Sequence, residues 1–429
     1  MRYRFSALVL VAFGAALVAA FSVGGAGASH KAVSGKVSMI GVWTATEQKS
    51  FQAVIAAFHE KFPGVTVSYT SAGNDTPTVL KTRLAGGKPP DIAEVAQPAL
   101  VREFVKGGKL KPITFAQGVI RANFGPSLAV GSVNGKLYGL FFKASNKSAG
   151  IWYSVKAFKN AGVKAPTTWP QLLSAAKTIR GSGLPAYSIG GAEGWTLSDL
   201  FENIYLRTAG ATKYDQLTDH KIKWTDPSVK KALGFMAQIL GDTSNIPGGA
   251  SGALQTGFPQ SVDAVFSKSP KAAMVIEGDF VPGVATTKGL KPSVDYNMTP
   301  FPSINGSPPV AVTSGDTIIM FKDSPAARAF ITYLASPEAS TIWAKRGGFT
   351  ATNVKVPLSA YSDALTRASA KGLKTSTATR FDLSDLEPPA FGATTGEGEW
   401  KILQDFLKNP KNVNGTASAL ESAAAKAFK

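Results

Sequence analysis

Glu277 and Asp279 stand two residues apart in IEGDF, and Glu193 stands in GGAEGW. Paired carboxylates are what a glycosidase needs, one as acid and one as nucleophile or base. In a strand this spacing puts both on one face, and in a turn it leaves their separation undefined. Such carboxylates are also ordinary hydrogen-bonding acids, and the rest of the chain offers no nucleophile. It has no G-x-S-x-G elbow, no phosphate-cradling glycine loop, no H-E-x-x-H and no calcium loop. Cysteine is absent, and the three histidines, His30, His59 and His220, are scattered. Disulfides, thiolate chemistry and a histidine-rich metal site are thereby excluded, and neither cofactor nor metal is expected.

The aromatics say more. Trp43 follows a strand-like run, Trp195 follows the glycines of IGGAEGW, and Phe280 follows EGD, so each is expected on a loop at a strand end. A pyranose has one apolar C–H face and a rim of hydroxyls. An aromatic plate beside carboxylates, amides and cations suits it, at the sheet edge where doubly wound folds bind ligands. Trp169, Trp224, Trp343 and Trp400 lie beside helical patterns and are expected in the core.

These residues need a scaffold. KVSMIGVW reads as a strand, and Phe51, Val54, Ile55, Phe58 and Phe62 then recur at helical spacing up to Pro63-Gly64. Val65, Val67 and Tyr69 alternate as a second strand. A helix opened by Asp75 or Thr76 follows, then the strand PPDIAEVA and a helix ending at Gly107. Asp226-Pro227, Ser324-Pro325 and Ser336-Pro337 open further helices; KAAMVIEGDF and GDTIIMF read as strands, and the tail from Trp400 is helical. The alternation predicts an α/β fold with mostly parallel, doubly wound sheets, and 429 residues point to two or more compact lobes.

At the amino terminus, Arg2 and Arg4 precede an apolar run from Phe5 to Phe21 and then Ala26-Gly27-Ala28. That pattern predicts a signal peptide over 1–28; the alternative is an uncleaved anchor. The protein is expected to be exported, periplasmic or extracellular, with membrane association in the anchored alternative. The formal charge is +18 from 46 basic and 28 acidic residues, or +16 once Arg2 and Arg4 are removed (18 − 2). The basic residues are spread without a motif, so nucleic acid is not expected as a partner.

The run GVWTATEQKSFQAVIAAFHEKFPGVTVSYTSAGNDTPTVLKTRLAGGKPPDIAEVAQP resembles the amino-terminal lobe of extracellular solute-binding proteins of carbohydrate ABC importers. This is the family-1 group that includes maltose-binding proteins. NGKLYGLFFKASNKSAGIWYSVKAFKNAG is similar to the lobe crossing of that family, and KAAMVIEGDF and ASPEASTIWAKRGGFTATN extend the resemblance along the chain. FDLSDLEPPAFG with GEWKILQDFLKNP is similar to its alpha-glucoside-binding members. The resemblance implies a two-lobed periplasmic-binding-protein-like (type II) fold. Lobe one would hold 36–145 and 303–346, and lobe two 146–302 and 347–429, closing on a hinge over a sugar.

It further implies a monomeric, non-enzymatic receptor that delivers a carbohydrate, an alpha-glucoside or related oligosaccharide, to the permease subunits of an ABC importer. A secreted glycosidase or a sugar-sensing domain is the alternative. By resemblance the ligand contacts are Trp43, Thr44 and Glu47 in the first strand-to-helix turn, Asn74 and Asp75 in the second, and Gln97 after the third strand. Lys143, Ser145 and Asn146 lie at the crossing. Trp195, Glu277, Asp279 and Phe280 come from the other lobe, Asp316 and Arg346 lie near later crossings, and Arg380 and Asp382 are weaker candidates.

Overall fold

A computed structural model describes residues 33–285 and 289–429, so the expected signal peptide lies outside the described residues. The chain opens as β1 (Gly35–Gly41), the helix Ala45–Lys61, β2 (Val65–Ser71), the helix Thr76–Ala85, β3 (Ile92–Val95) and the helix Pro98–Lys106. This is the expected alternation. Phe51, Val54, Ile55 and Phe58 are buried along one stripe of the first helix. β1 pairs in parallel with β2 on one side and β3 on the other.

The later strands are β4 (Ser132–Val133) and β5 (Lys136–Leu137), which pair with each other, then β6 (Gly139–Asn146), β7 (Gly150–Ser154), β8 (Tyr187–Ser188), β9 (Met274–Glu277), β10 (Tyr296–Thr299), β11 (Val310–Met320), β12 (Thr350–Ala351) and β13 (Ala378–Phe381). They build two principal sheets. The larger runs β12-β6-β11-β3-β1-β2 with β13 on β11, and the smaller runs β10-β7-β9-β8.

The sheets are mixed rather than mostly parallel. β11 runs antiparallel to β3 and β6, β12 antiparallel to β6, and β7 antiparallel to both β9 and β10. A parallel neighbour needs a crossover between the two strands. β6 and β11 instead carry the chain out of and back into the large sheet, so they lie side by side in opposite directions. Two further corrections concern the helices. Trp195 is the first residue of the helix Trp195–Thr218, not a loop residue. The helical tail is two helices, Gly398–Lys408 and Val413–Ala427, separated at Pro410, which has no N–H to continue the first.

Between β6 and β7 the chain passes from one sheet to the other in three residues, 147–149. Gly150 starts β7 at φ +102°, and a Cβ there would come within 2.2 Å of the Phe301 backbone nitrogen, so only glycine fits this step. Each sheet has its own apolar core. Trp43, Phe51, Phe58, Phe142, Phe330 and Trp343 pack behind the large one. Trp169, Phe201, Tyr205, Trp224, Leu403 and Phe406 pack within the helices around the small one, so all four tryptophans expected in cores are found there. β12 and β13 fall within 347–429, the stretch expected in lobe two, yet they hydrogen-bond to β6 and β11 of the large sheet.

Candidate functional site

Where the two sheets meet, β6 and the turn after it place two buried lysines four residues apart, each among carboxylates. Lys143, on β6, lies 2.8 Å from Glu47 and 3.3 Å from Asp316. Burial pushes its ammonium pKa down, but Glu47 and Asp316 outweigh that and hold it above the ordinary lysine value. Asp316 also accepts the indole N–H of Trp43 at 2.7 Å. Glu94, fully buried beside this group, accepts the Val42 N–H at 2.8 Å. Burial and then the Asp316 charge raise its pKa far above the usual carboxylate range.

Lys147, in the crossing turn, lies 2.5 Å from both Asp199 and Asp382. Its ammonium stands 5.5 Å from the ring centre of Trp195, within cation–π range. The turn is fixed to the helix that carries Trp195. Asn203 donates to the Lys147 carbonyl at 3.1 Å, and Ser148 donates to Asn203 at 2.5 Å. Oxygens of Asp199, Glu202 and Asp382 lie within 4.8 Å of one another, a grouping able to hold a cation. Lys147 already supplies positive charge to two of the three.

Beside Lys147 three aromatic rings meet. Trp195 is 5.4 Å from Phe258 and 5.8 Å from Phe280, and Phe258 is 5.1 Å from Phe280. All three are half-buried, so part of each ring faces outward. Trp195 owes its position to Gly194 (φ +91°), where a Cβ would strike the Cβ of Trp400 at 2.7 Å. Glu193 accepts the Phe258 N–H at 3.2 Å. Glu277 ends β9 in the same neighbourhood with one carboxylate oxygen buried and unpartnered. Burial, and then the charge of Asp199, hold its pKa well above the ordinary value. Asp199 is pushed up to about 7 by burial, against the pull of Lys147.

The expected contact residues thus separate into groups. Glu47, Lys143 and Asp316 meet on the large-sheet side, with Gln97 buried near β3 and its Oε1 unpartnered. Trp195, Glu277 and Phe280 meet on the small-sheet side. Asp279 and Asn146 form a strut between the sheets. Asp279 accepts from Thr350 at 2.5 Å and Ser369 at 3.2 Å, its N–H donates to the Asn146 carbonyl, and the Asn146 side chain donates to the Ser369 carbonyl.

Trp43 is a correction. It is wholly buried, 4.6 Å from Phe51 and 4.7 Å from Trp343, so its ring offers no face to a ligand and only its N–H reaches the polar group. Thr44, Asn74 and Asp75 are exposed, and neither Thr44 nor Asp75 bonds a helix end with its side chain. Arg346 is exposed and reaches Ser50 at 3.3 Å. Arg380 pairs with Asp215 at 2.5 Å rather than joining either group.

Phe258, Lys147 and Asp199 escaped the reading of the sequence. A signal for Phe258 was present: Gly194-Trp195 and Gly257-Phe258 both put an aromatic directly after glycine, and Gly278-Asp279-Phe280 nearly does. Lys147 and Asp199 carry no local signal.

The arrangement offers half-exposed aromatic rings, several carboxyls and two held ammonium groups at the meeting of two sheets. Comparison with known proteins agrees in kind. Residues 43–341 match the family described as bacterial extracellular solute-binding protein. The osmoprotective compounds-binding protein GgtB of Synechocystis is 31% identical over 381 residues, 87% of this chain and 88% of that one. The alpha-glucosides-binding periplasmic protein AglE of Rhizobium meliloti is 29% identical over 387 residues, 86% and 83% of the two chains. Among solved structures the bacterial solute receptor AcbH, described as exclusive for β-D-galactopyranose, superposes with TM-score 0.82 at 18% identity, over 92% of this chain and 99% of that one.

Proposed function

The chain belongs to the bacterial extracellular solute-binding protein family, and from that premise we propose that it is the exported receptor of an ABC importer that captures an alpha-glucoside or related saccharide. The observation that carries the reading is the Trp195, Phe258 and Phe280 platform beside Lys147 and Glu277. A sugar ring laid on the platform would cover its apolar C–H face and leave its hydroxyls to the polar groups beside the rings. AglE, named for alpha-glucosides, supports a saccharide ligand. The lobes are the bodies around the two sheets, with β12 and β13 assigned to the first. The crossing at 147–149 is the hinge, and permease subunits dock on the lobe surfaces flanking the cleft. As a receptor it would release the sugar unchanged.

A thermal-shift screen against mono- and oligosaccharides tests this. A cognate sugar at about 100 times its dissociation constant should add roughly 2.7 kcal/mol of stability. Chromatography of the same mixtures should return the sugar intact; hydrolysis would replace the receptor reading with a glycosidase. No shift with any saccharide would remove the ligand class. Within the site, Trp195→Ala should weaken binding by about 1 to 3 kcal/mol, by loss of apolar cover and ring contact, with the melting temperature nearly unchanged. Equal affinity in a folded variant would take Trp195 out of the site.

A further inference from the structure

At the free edge of β8, the end strand of the small sheet, lies a recess of about 360 Å³. Ile189, Ile246 and Ala264 are among its apolar lining residues, and Thr256, Gln260 and Lys271 among its polar ones. Two connections join it to the aromatic platform. Around Gly257, the place a Cβ would occupy is 2.7 Å from Gln260 Oε1 and 2.8 Å from Glu193 Oε1, so a lining residue of the recess lies next to the carboxylate that holds the Phe258 N–H. Ser188 and Ile189, which line the recess, also line a small cavity of about 20 Å³ that touches Glu277 and Thr196, the residue after Trp195.

We propose that this recess is a second saccharide subsite, taking one ring of an oligosaccharide whose neighbouring ring stacks on the Trp195, Phe258 and Phe280 platform. The proposal rests on the sugar-binding reading above and adds to it a ligand longer than the platform alone would hold. The recess is at the small end of the range of ligand pockets, about 300 to 1,000 Å³, which suits one or two rings rather than a peptide. Its lining mixes apolar and polar surface, which suits the C–H face and the hydroxyl rim of a pyranose. Its polar residues supply a hydroxyl, an amide and an ammonium, which pair with hydroxyl oxygens and hydrogens. No carboxylate lines it, so nothing there repels or selects by charge against a neutral ring.

Isothermal titration of the full chain with glucose and its α-linked di-, tri- and tetrasaccharides tests the subsite. At one step in the series, where the added ring reaches the recess, affinity should rise about tenfold, the yield of one or two net hydrogen bonds. Gln260→Ala, at an exposed position, should reduce that step to about threefold or less, with affinity for the next shorter sugar unchanged. Ala264→Phe, which fills the recess, should remove the step, and its melting temperature reports whether it is folded. A flat series in protein that binds the short sugars overturns the subsite, as does a step that survives both variants in folded protein. Absence of binding by any saccharide would instead overturn the sugar reading, and the subsite with it.

Discussion

Lys147→Met is expected to lower stability by about 3 to 5 kcal/mol, the range seen when one partner of a buried ion pair is removed. The ammonium is 2.5 Å from Asp199 and from Asp382, and both carboxylates are buried. Methionine fills most of the volume but leaves the two buried carboxyls facing each other without their cation, with Glu202 and Asp385 close by. Asp382 suffers most. Burial pushes its pKa up, but Lys147 and the hydroxyl of Ser384 overcome this and hold it below the ordinary value, so it is charged in the native protein and depends on the lysine. Removing charge along with the lysine, in Lys147→Met combined with Asp199→Asn and Asp382→Asn, should recover much of the loss. Urea titration at neutral pH decides the matter. A loss under about 1 kcal/mol would mean that the lysine is not what stabilises the crossing.

Much of the scaffold was legible in the sequence, and for local reasons. β1 through the helix Pro98–Lys106 could be read because the helices carry periodic apolar residues and stop at or just before glycine or proline, and β2 alternates buried and exposed residues. The helix openings at Asp226, Ser324 and Ser336 were read from the same chemistry, and each side chain does accept an N–H of its first turn. Strand direction was not legible. β6 is buried at every residue, and a strand buried on both faces does not say which way its neighbours run. Its partner β11 lies more than 160 residues away in the chain, so the antiparallel pairing is a tertiary fact.

The site divides along the same line. Trp195, Glu277 and Phe280 were legible because glycine-flanked aromatics and acids at strand ends are local patterns. Trp43 has an equally suggestive local pattern, but its burial is decided by Trp343, 300 residues on, which closes over it. Lys147 sits in an unremarkable N-K-S turn, and its meaning comes from carboxylates 52 and 235 residues distant. Resemblance to a family carried residues 143 to 146 into the site, yet stopped one residue short of the lysine that holds the crossing.

Asp199 and the other raised acids around Lys147 make stability fall as pH rises from about 4.5 to about 8. Burial raises Glu399 to about 8, aided by the charges of Asp382 and Asp199, and Asp199 reaches about 7. Glu202 and Glu387 are held well above the carboxylate range by burial and by their acidic neighbours, and so is Glu277. In the unfolded chain each of these groups loses its proton near pH 4 to 4.5. Above that range the native state binds more protons than the unfolded state, so stability falls by roughly 1.4 kcal/mol per pH unit for each proton retained. The contribution of Glu399 is complete below its unfolded pKa and exhausted once pH passes about 8. Asp382 acts in the opposite sense, and its contribution disappears only below the ordinary aspartate range. Denaturant midpoints measured at pH 5, 6, 7 and 8 should therefore decline in order. Glu399→Gln keeps an acceptor for the Ser198 hydroxyl, now 2.8 Å from Glu399, and should flatten the decline by about one proton's share. Stability that rises from pH 5 to pH 8 would show these carboxyls to be ionised and paired in the native protein, and the protonated cluster behind the crossing would have to be abandoned.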